Sequence, residues 1–259
     1  MKNKIALITG STSGIGLGIA KHLASLGANI ALHGFGAEDE ISKLVQEIEV
    51  EYNVKCKHYA ADMMIPEQIE AMMESVIKDF GGIDVLVNNA GIQFVSPIES
   101  FPNDKWESVI RIDLVSSFYT IKHAVPIMKA KGWGRIINIA SAHALVASPF
   151  KSAYVAAKHG LLGLTKTVAL EVAENNITVN AICPGYVKTP LVLKQIPETA
   201  KARGISEEAV VRGVILASHA TKKFIEVDEV AALAGFLCSD AASSITGTGL
   251  AIDGGWTTH

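Results

Sequence analysis

The chain has 259 residues, of which 49% are apolar and 19% are charged, so one large globular domain with a sizeable core is expected. Its net charge of −3 argues against partners such as nucleic acid or an anionic membrane surface. No apolar run predicts a transmembrane helix, no signal-peptide pattern is visible, and three scattered cysteines are typical of a reduced, cytoplasmic protein.

Short apolar segments alternate with helical segments along the chain. The strand candidates are Lys4–Thr9, Asn29–His33, Lys55–Ala60, Val85–Asn88, Arg135–Ala140, Thr178–Ile182 and Gly249–Ile252. The helix candidates are Leu17–Leu26, Ala37–Tyr52, Pro66–Phe80, Asp104–Lys131 and Ser152–Ala173. This alternation predicts an α/β fold: a single-domain, Rossmann-type, doubly wound parallel sheet of about seven strands, with helices on both faces, over residues 1–259.

A glycine-rich turn joins the first strand to the first helix. It reads Thr9-Gly10-Ser11-Thr12-Ser13-Gly14-Ile15-Gly16. Glycines let the backbone approach a pyrophosphate closely, and the helix N-terminus offers free N–H groups to the anion. The turn therefore predicts a dinucleotide site, with an ordinary strand-to-helix loop as the alternative on the glycines alone.

The tip of the second strand indicates which dinucleotide is bound. It reads His33-Gly34-Phe35-Gly36, without the acid that usually accepts from the ribose hydroxyls. No Arg or Lys stands there or in the glycine turn to pair with a 2′-phosphate, so NAD is predicted over NADP. Phe35 either covers the adenosine or packs in the core.

Polar and small residues follow the next two strands. Asp62 can accept a hydrogen bond from an adenine amino group. The segment Asn88-Asn89-Ala90-Gly91 contains small residues that allow close approach of a cofactor. Its two amides are candidates for cofactor contact, although either can instead cap the turn.

Tyr154 and Lys158 lie four residues apart, on one face of a predicted helix. The pKa of a tyrosine lies near ~10, too high for a base at neutral pH, and a nearby cation lowers it. A tyrosine tuned in this way can exchange a proton with an alcohol or a carbonyl. Ser141 adds a hydroxyl for the reacting oxygen, so the set predicts alcohol–ketone redox chemistry with a nicotinamide cofactor.

Four features carry a resemblance to a known family: the segments 9–16 and 88–91, the set of Ser141, Tyr154 and Lys158, and the turn 184–189. Through them the chain resembles the short-chain dehydrogenase/reductase family along its whole length. The resemblance implies that Lys158 also binds the nicotinamide ribose and that the protein is a homotetramer. The cofactor-binding residues predicted from the turns and the resemblance are Gly10, Thr12, Ser13, Gly14, Ile15, Gly16, Phe35, Asp62, Met63, Asn89, Ala90, Gly91, Tyr154, Lys158, Pro184, Gly185, Val187 and Thr189.

Asp113 departs from the family pattern, which usually has Asn at this position, thought to hold a water that links the lysine to solvent. An ionised carboxylate accepts hydrogen bonds but cannot donate them, and its charge would stabilise Lys158 as a cation. We keep Asp113 as a fourth candidate catalytic residue beside Ser141, Tyr154 and Lys158. The replacement of this asparagine by Asp113 therefore affects the expected proton relay between the lysine and solvent.

Further side chains near these motifs can donate hydrogen bonds to a substrate. Together with Ser141 and Tyr154, the predicted substrate-binding residues are Gln93, His143, Lys151, Gln195 and Trp256. A small hydroxy acid requires such donors because its carboxylate must be paired once it leaves water. Taken singly, each also fits a solvated or packing side chain. The histidines show no metal-ligand spacing, so no catalytic metal is predicted.

A finer resemblance lies in four segments, 88–93, 141–154, 191–195 and 253–256. These segments resemble family members that act on a short 3-hydroxy acid. The predicted reaction is its reversible oxidation by NAD, with Tyr154 as general base and acid. Residues 189–227 interrupt the strand–helix rhythm with helical patterns at 198–203 and 207–218, and we interpret them as a helical substrate lid, with a surface hairpin as the alternative.

Two other functions stay open. One is NADPH-dependent reduction of a 3-oxoacyl carrier protein, which the missing basic residue and the presence of Lys151 and Trp256 argue against. The other is a dinucleotide-sensing protein without turnover, which the retained Tyr154 and Lys158 argue against.

Overall fold

Seven strands form one sheet in the computed structural model. The model describes residues 1–258, apart from the side chains of Leu191, Gln195, Glu198 and Ala202. The strands are β1 Ile5–Ile8, β2 Asn29–His33, β3 Cys56–Tyr59, β4 Val85–Asn88, β5 Gly134–Ile139, β6 Ile177–Pro184 and β7 Gly249–Ile252. Their order is β3-β2-β1-β4-β5-β6-β7, and all neighbours are parallel. The predicted doubly wound parallel sheet is therefore confirmed.

Helices pack on both faces of this sheet because its central strands are apolar and buried on both sides. The helices are α1 Gly14–Ser25, α2 Glu38–Tyr52, α3 Pro66–Phe80, α4 Asn103–Ile110, α5 Ser116–Lys131, α6 Ser152–Val172, α7 Pro190–Arg203, α8 Glu207–Val210 and α9 Val227–Leu237. One buried cluster joins the sheet to α1, α2 and α9, and a second joins the opposite face to α3, α5 and α6.

The long helical zone predicted over 104–131 is interrupted. A wider π-helical turn, Arg111–Val115, separates α4 from α5. Asp113 lies in this turn and is 1% exposed. The interruption therefore places a carboxylate inside the protein, at the carboxyl edge of the sheet.

Two helices differ from the sequence-based expectation. The helix α9 was not predicted, although a reciprocal capping box between Glu226 and Glu229 marks its start. The helix α7 begins at Pro190 rather than at 198, with Thr189 as its N-cap, accepting from the backbone N–H of Val192. Among the described residues, no helix combines the length and apolarity needed to cross a bilayer.

Candidate active site

The catalytic candidates meet where β5 ends and α6 passes across the sheet edge. Ser141 directly follows this strand region, and its side chain hydrogen-bonds to Tyr154. The ammonium of Lys158 lies 5.4 Å from the centre of the Tyr154 ring and donates to the carbonyl of Ile139 at 3.1 Å. The structure thus brings the three predicted side chains to one side of the helix.

Asp113 completes this group. One carboxylate oxygen, Oδ2, lies 3.3 Å from Lys158 Nζ, and the other, Oδ1, accepts from the backbone N–H of Ile92 at 2.8 Å. Both charged side chains are almost fully buried. The result is a buried ion pair directly behind the tyrosine.

The three titratable groups influence one another. Burial raises the pKa of Tyr154, whereas the Lys158 ammonium opposes the rise and the Asp113 carboxylate adds to it. Burial lowers the pKa of Lys158, but Asp113 and Tyr154 together more than offset this, so its pKa is raised. The effect of Lys158 on the tyrosine predicted from the sequence is present, yet in this structure burial outweighs it and the net direction is upward.

His143 lies between the catalytic serine and the aromatic residues of the site. Its Nδ1 is 3.3 Å from Ser141 Oγ, and its Nε2 is 2.9 Å from Ser148 Oγ. Burial, followed by the Lys151 charge, lowers the pKa of His143 to about 4. The ring is therefore neutral at neutral pH and serves as a hydrogen-bonding group.

Trp256 packs against His143 with ring centres 4.9 Å apart and stacks on Tyr186 at 5.8 Å. The ammonium of Lys151 lies 5.7 Å from the centre of the Tyr186 ring. His219 is fully buried behind this group, and its Nε2 accepts from the backbone N–H of Tyr186. Three predicted substrate residues thus converge around Tyr186, which sequence reasoning missed because nothing in a Gly-Tyr-Val segment indicates a pocket wall.

The remaining two substrate candidates differ in what the structure shows. Gln93 is exposed in the segment after β4. The backbone N–H of Ser96 donates to the carbonyl of Phe150 at 2.9 Å, which places this segment beside the one that carries Lys151. The side chain of Gln195 lies outside the described part of the chain.

A cleft of about 300 Å³ opens at the carboxyl ends of β1, β2 and β4. It is lined by nine of the predicted cofactor residues, namely Gly10, Thr12, Ser13, Phe35, Asp62, Met63, Asn89, Ala90 and Gly91. Phe35 is 69% exposed, so packing in the core, one of its two interpretations, is wrong. Its carbonyl accepts from Thr12 Oγ1, which ties the strand tip to the glycine turn.

The glycine turn fits a dinucleotide because it leaves no room for side chains. A Cβ at Gly16 would lie 2.3 Å from the carbonyl oxygen of Gly10, and one at Gly10, where φ is +62°, would lie 3.0 Å from Ala90 Cα. The cap residue Ser13 lines the cleft and makes no side-chain capping bond, so the first N–H groups of α1 have no partner from this side chain.

The two asparagines after β4 have different roles. Asn89 Nδ2 donates to the carbonyls of Thr9 and Gly10, both at 2.9 Å, so this amide holds the glycine turn in place. Asn88 is buried and lies in a polar chain in which it donates to Asn138 and accepts from Thr120. Asn88 is therefore structural, and Asn89 acts on the cleft through the backbone.

The remaining cofactor candidates lie at the edges of the cleft. Thr189 lies beside the glycine turn, since a Cβ at Gly14 would be 3.6 Å from its methyl group. Gly185 follows β6 and its N–H donates to the carbonyl of Ile252, while Val187 is buried. Within residues 1–258, no group of three or more His, Cys, Asp or Glu side chains is arranged to hold a metal ion.

The comparison with known families agrees with this geometry. A family model described as Enoyl-(Acyl carrier protein) reductase matches residues 10–257. The chain belongs to the short-chain dehydrogenase/reductase family, and it is a dinucleotide-dependent oxidoreductase.

Two individual relatives and one solved structure are similar to the chain along almost its whole length. The chain is 61% identical over 254 residues to a D-beta-hydroxybutyrate dehydrogenase of Rhizobium meliloti, covering 98% of each chain. It is 52% identical to a D-beta-hydroxybutyrate dehydrogenase of Cupriavidus necator, covering 99% of this chain and 98% of the relative. Among solved structures, L-sorbose reductase of Gluconobacter frateurii, complexed with NADPH and L-sorbose, superposes with a TM-score of 0.94 at 34% identity, covering 100% of this chain and 98% of that one.

Proposed function

We propose that the protein catalyses the reversible, NAD-dependent oxidation of D-3-hydroxybutyrate to acetoacetate. The observation that carries the proposal is the convergence of Lys151, His143 and Trp256 around Tyr186, with His143 also beside Tyr154. The two hydroxybutyrate dehydrogenases that share 61% and 52% of its residues support the same substrate.

The carboxylate of the substrate lies near Lys151, whose ammonium provides its counter-charge. The indole N–H of Trp256 and the ring of His143 supply further hydrogen bonds. Gln93, on the neighbouring segment, and Gln195 complete the predicted set. Because His143 links the ring of Trp256 to that of Tyr154, an acid held by these donors is oriented with its 3-hydroxyl toward the tyrosine.

Proton transfer is the task of the catalytic group. Ser141 hydrogen-bonds the 3-hydroxyl, and the Tyr154 phenolate removes its proton as the carbonyl forms; in the reverse direction Tyr154 returns the proton. Lys158 stabilises the phenolate, and Asp113 keeps Lys158 charged. When bound, the dinucleotide supplies the acceptor for the hydride that leaves C3.

NAD is favoured over NADP by the composition of the cleft. No Arg or Lys is present among the described residues that line it, so a 2′-phosphate finds no cation there. Phe35 instead offers an exposed ring at the adenosine end.

Residues 189–227 act as a lid in this proposal. The helices α7 and α8 form an apolar cluster of their own, including Ile196, Val210 and Leu216, against which Tyr186 packs. A segment with its own small core can move as a unit over the tyrosine and exclude water from the substrate.

We also propose a homotetramer in the cytoplasm. The long helices α5 and α6 each expose a large apolar side chain, Phe118 at 47% and Leu170 at 83%, as expected of a subunit contact. The three cysteines are free and buried, which fits a reducing compartment. Sedimentation of the purified protein measures the subunit number directly.

The assay that tests the function follows the absorbance of reduced nicotinamide with the D and L forms of 3-hydroxybutyrate, and with acetoacetate and a 3-oxoacyl thioester in reverse. We expect turnover of the D form with NAD and of acetoacetate with NADH. Preferential reduction of the thioester with NADPH would identify an acyl-carrier reductase, and absence of turnover with every pair would favour a sensor.

A further inference from the structure

We propose that His33 is a positioning residue for the cofactor: its neutral imidazole holds the backbone N–H of Gly10, fixes the glycine turn for the dinucleotide, and releases that turn when it becomes protonated. This rests on the dinucleotide-binding part of the proposed function and not on the identity of the substrate.

Both ring nitrogens of His33 are already used. Nδ1 lies 3.0 Å from the backbone N of Gly10, and Nε2 lies 3.0 Å from the carbonyl oxygen of Ala61. A backbone N–H only donates and a carbonyl only accepts, so Nδ1 must carry the lone pair and Nε2 the proton. The two contacts specify one neutral tautomer, and a second proton has no acceptor.

The hydrogen bond to Gly10 controls the shape of the turn. Asn89 Nδ2 donates to the carbonyl of Gly10, so the two polar groups of this residue are held from opposite sides by side chains of β2 and of the segment after β4. The start of α1 is packed directly on the same carbonyl through Gly16. If the His33 bond breaks, the turn and the first helical N–H groups lose their fixed relation.

A protonated ring would place an N–H opposite the Gly10 N–H at hydrogen-bond distance, so this contact would become repulsive. The titratable group whose charge acts on His33 is His58 on β3, which hydrogen-bonds to the carbonyl of Gly34, and the carboxylate of Asp62 lines the same cleft as His33. From β1 and the glycine turn the neighbours are uncharged, with Ser11 Oγ accepting from the backbone N–H of His33.

The direction of the pH effect follows from the surroundings. Burial, with a further contribution from His58, lowers the pKa of His33 below the ordinary histidine value near ~6.5, and the bond to Ala61 opposes this. The neutral, turn-holding form is therefore fully populated above that ordinary value. It is lost as the pH falls through the lower pKa of the folded protein.

The test measures the binding of ADP-ribose by calorimetry between about pH 5 and pH 8. This probe lacks nicotinamide but keeps the ribose that Lys158 is expected to bind. The pKa of Tyr154 and that of Lys158 are both raised from ordinary values of about 10, so neither group titrates in this range, and the result is independent of whether hydroxybutyrate is the substrate. We compare the parent with His33→Asn, His33→Leu and His58→Asn. His123→Asn is the matched control, since His123 lies on α5 beside Glu70, away from the cleft.

In the parent, affinity is expected to fall toward the acid end as His33 becomes protonated, by up to about tenfold once its ring is fully charged. His33→Asn keeps an acceptor for Gly10 but does not titrate, so its affinity should be nearly independent of pH. His33→Leu should bind about tenfold more weakly than the parent near neutral pH, with an affinity that does not depend on pH. The control should follow the parent, with circular dichroism confirming the fold at each pH.

The proposal is overturned if His33→Asn retains the pH dependence of the parent, or if folded His33→Leu binds as tightly as the parent near neutral pH. Loss of the pH dependence in His58→Asn alone would also overturn it, because His58 would then be the titrating group. Should His33→Leu fail to fold, the comparison of His33→Asn with the parent still decides.

Discussion

The proposed cofactor half and the proposed substrate half of the site differ in whether backbone or side chains form them. The cofactor cleft is formed largely by backbone, with glycines at the turn and the side chain of Asn89 bonded to backbone carbonyls. The proposed substrate pocket is formed by side chains, with Lys151, Tyr186 and Trp256 contributed by three separate segments. Except for side chains that hold the glycine turn, such as His33, truncating a side chain should therefore have larger effects in the second half than in the first.

The largest effect is expected for Tyr154→Phe, which removes the proton-transferring oxygen and leaves the ring. We expect kcat to fall by roughly 10²- to 10⁴-fold while NAD still binds, because the cleft is untouched. Steady-state kinetics and a separate dinucleotide titration measure the two quantities. Unchanged turnover would contradict the role of Tyr154.

A smaller loss is expected for Lys151→Ala. Removing the counter-charge of the carboxylate should lower kcat/KM for hydroxybutyrate by roughly 10- to 100-fold, mainly through KM. The KM for NAD should not change. Lys166→Ala is the control because it removes an exposed lysine from α6, the helix that directly follows Lys151, and equal losses in the two variants would show that the effect is not local.

Asp113→Asn should change the pH profile more than the maximal rate. The carboxylate raises the pKa of Tyr154, so its removal lowers that pKa and moves the acid limb of the oxidation rate to lower pH. The measurement is kcat against pH. A shift to higher pH would mean that Lys158 loses its charge without Asp113.

The smallest effect is expected for Phe35→Ala, in the backbone-built half. The ring is exposed and covers the cleft without a polar contact from its side chain, so the Kd of NAD should rise only a few-fold, for a loss of about 1 kcal/mol. Calorimetry measures it. A loss as large as that of Lys151→Ala would show that side chains dominate both halves.

The sequence brought nine of the predicted cofactor residues to one cleft because their positions depend on local chemistry. The glycine turn and the Asn89 segment each follow a strand, and the carboxyl ends of parallel strands meet at one edge. The pairing of Tyr154 with Lys158 was predicted from helical spacing alone.

The rest depends on contacts between distant segments. The wall formed by Tyr186 and Trp256 joins residues 70 positions apart, and no local pattern indicates it. The sequence places His33 only at the tip of a strand. Its bond to Gly10 could not be predicted, because its tautomer is set by residues on two other segments. The helix α9 was missed although Glu226 and Glu229 carry a readable capping signal.

The stacking of Trp256 on Tyr186 also provides an optical probe. The chain has three tryptophans; Trp133 lies against Lys4 and Arg135, and Trp106 is on the outer helix α4. Replacing these two by phenylalanine would leave Trp256 as the single tryptophan, in contact with His143 and Tyr186 at the proposed substrate pocket. Its emission would then report each arrival and departure of a small acid in real time, without a coupled readout.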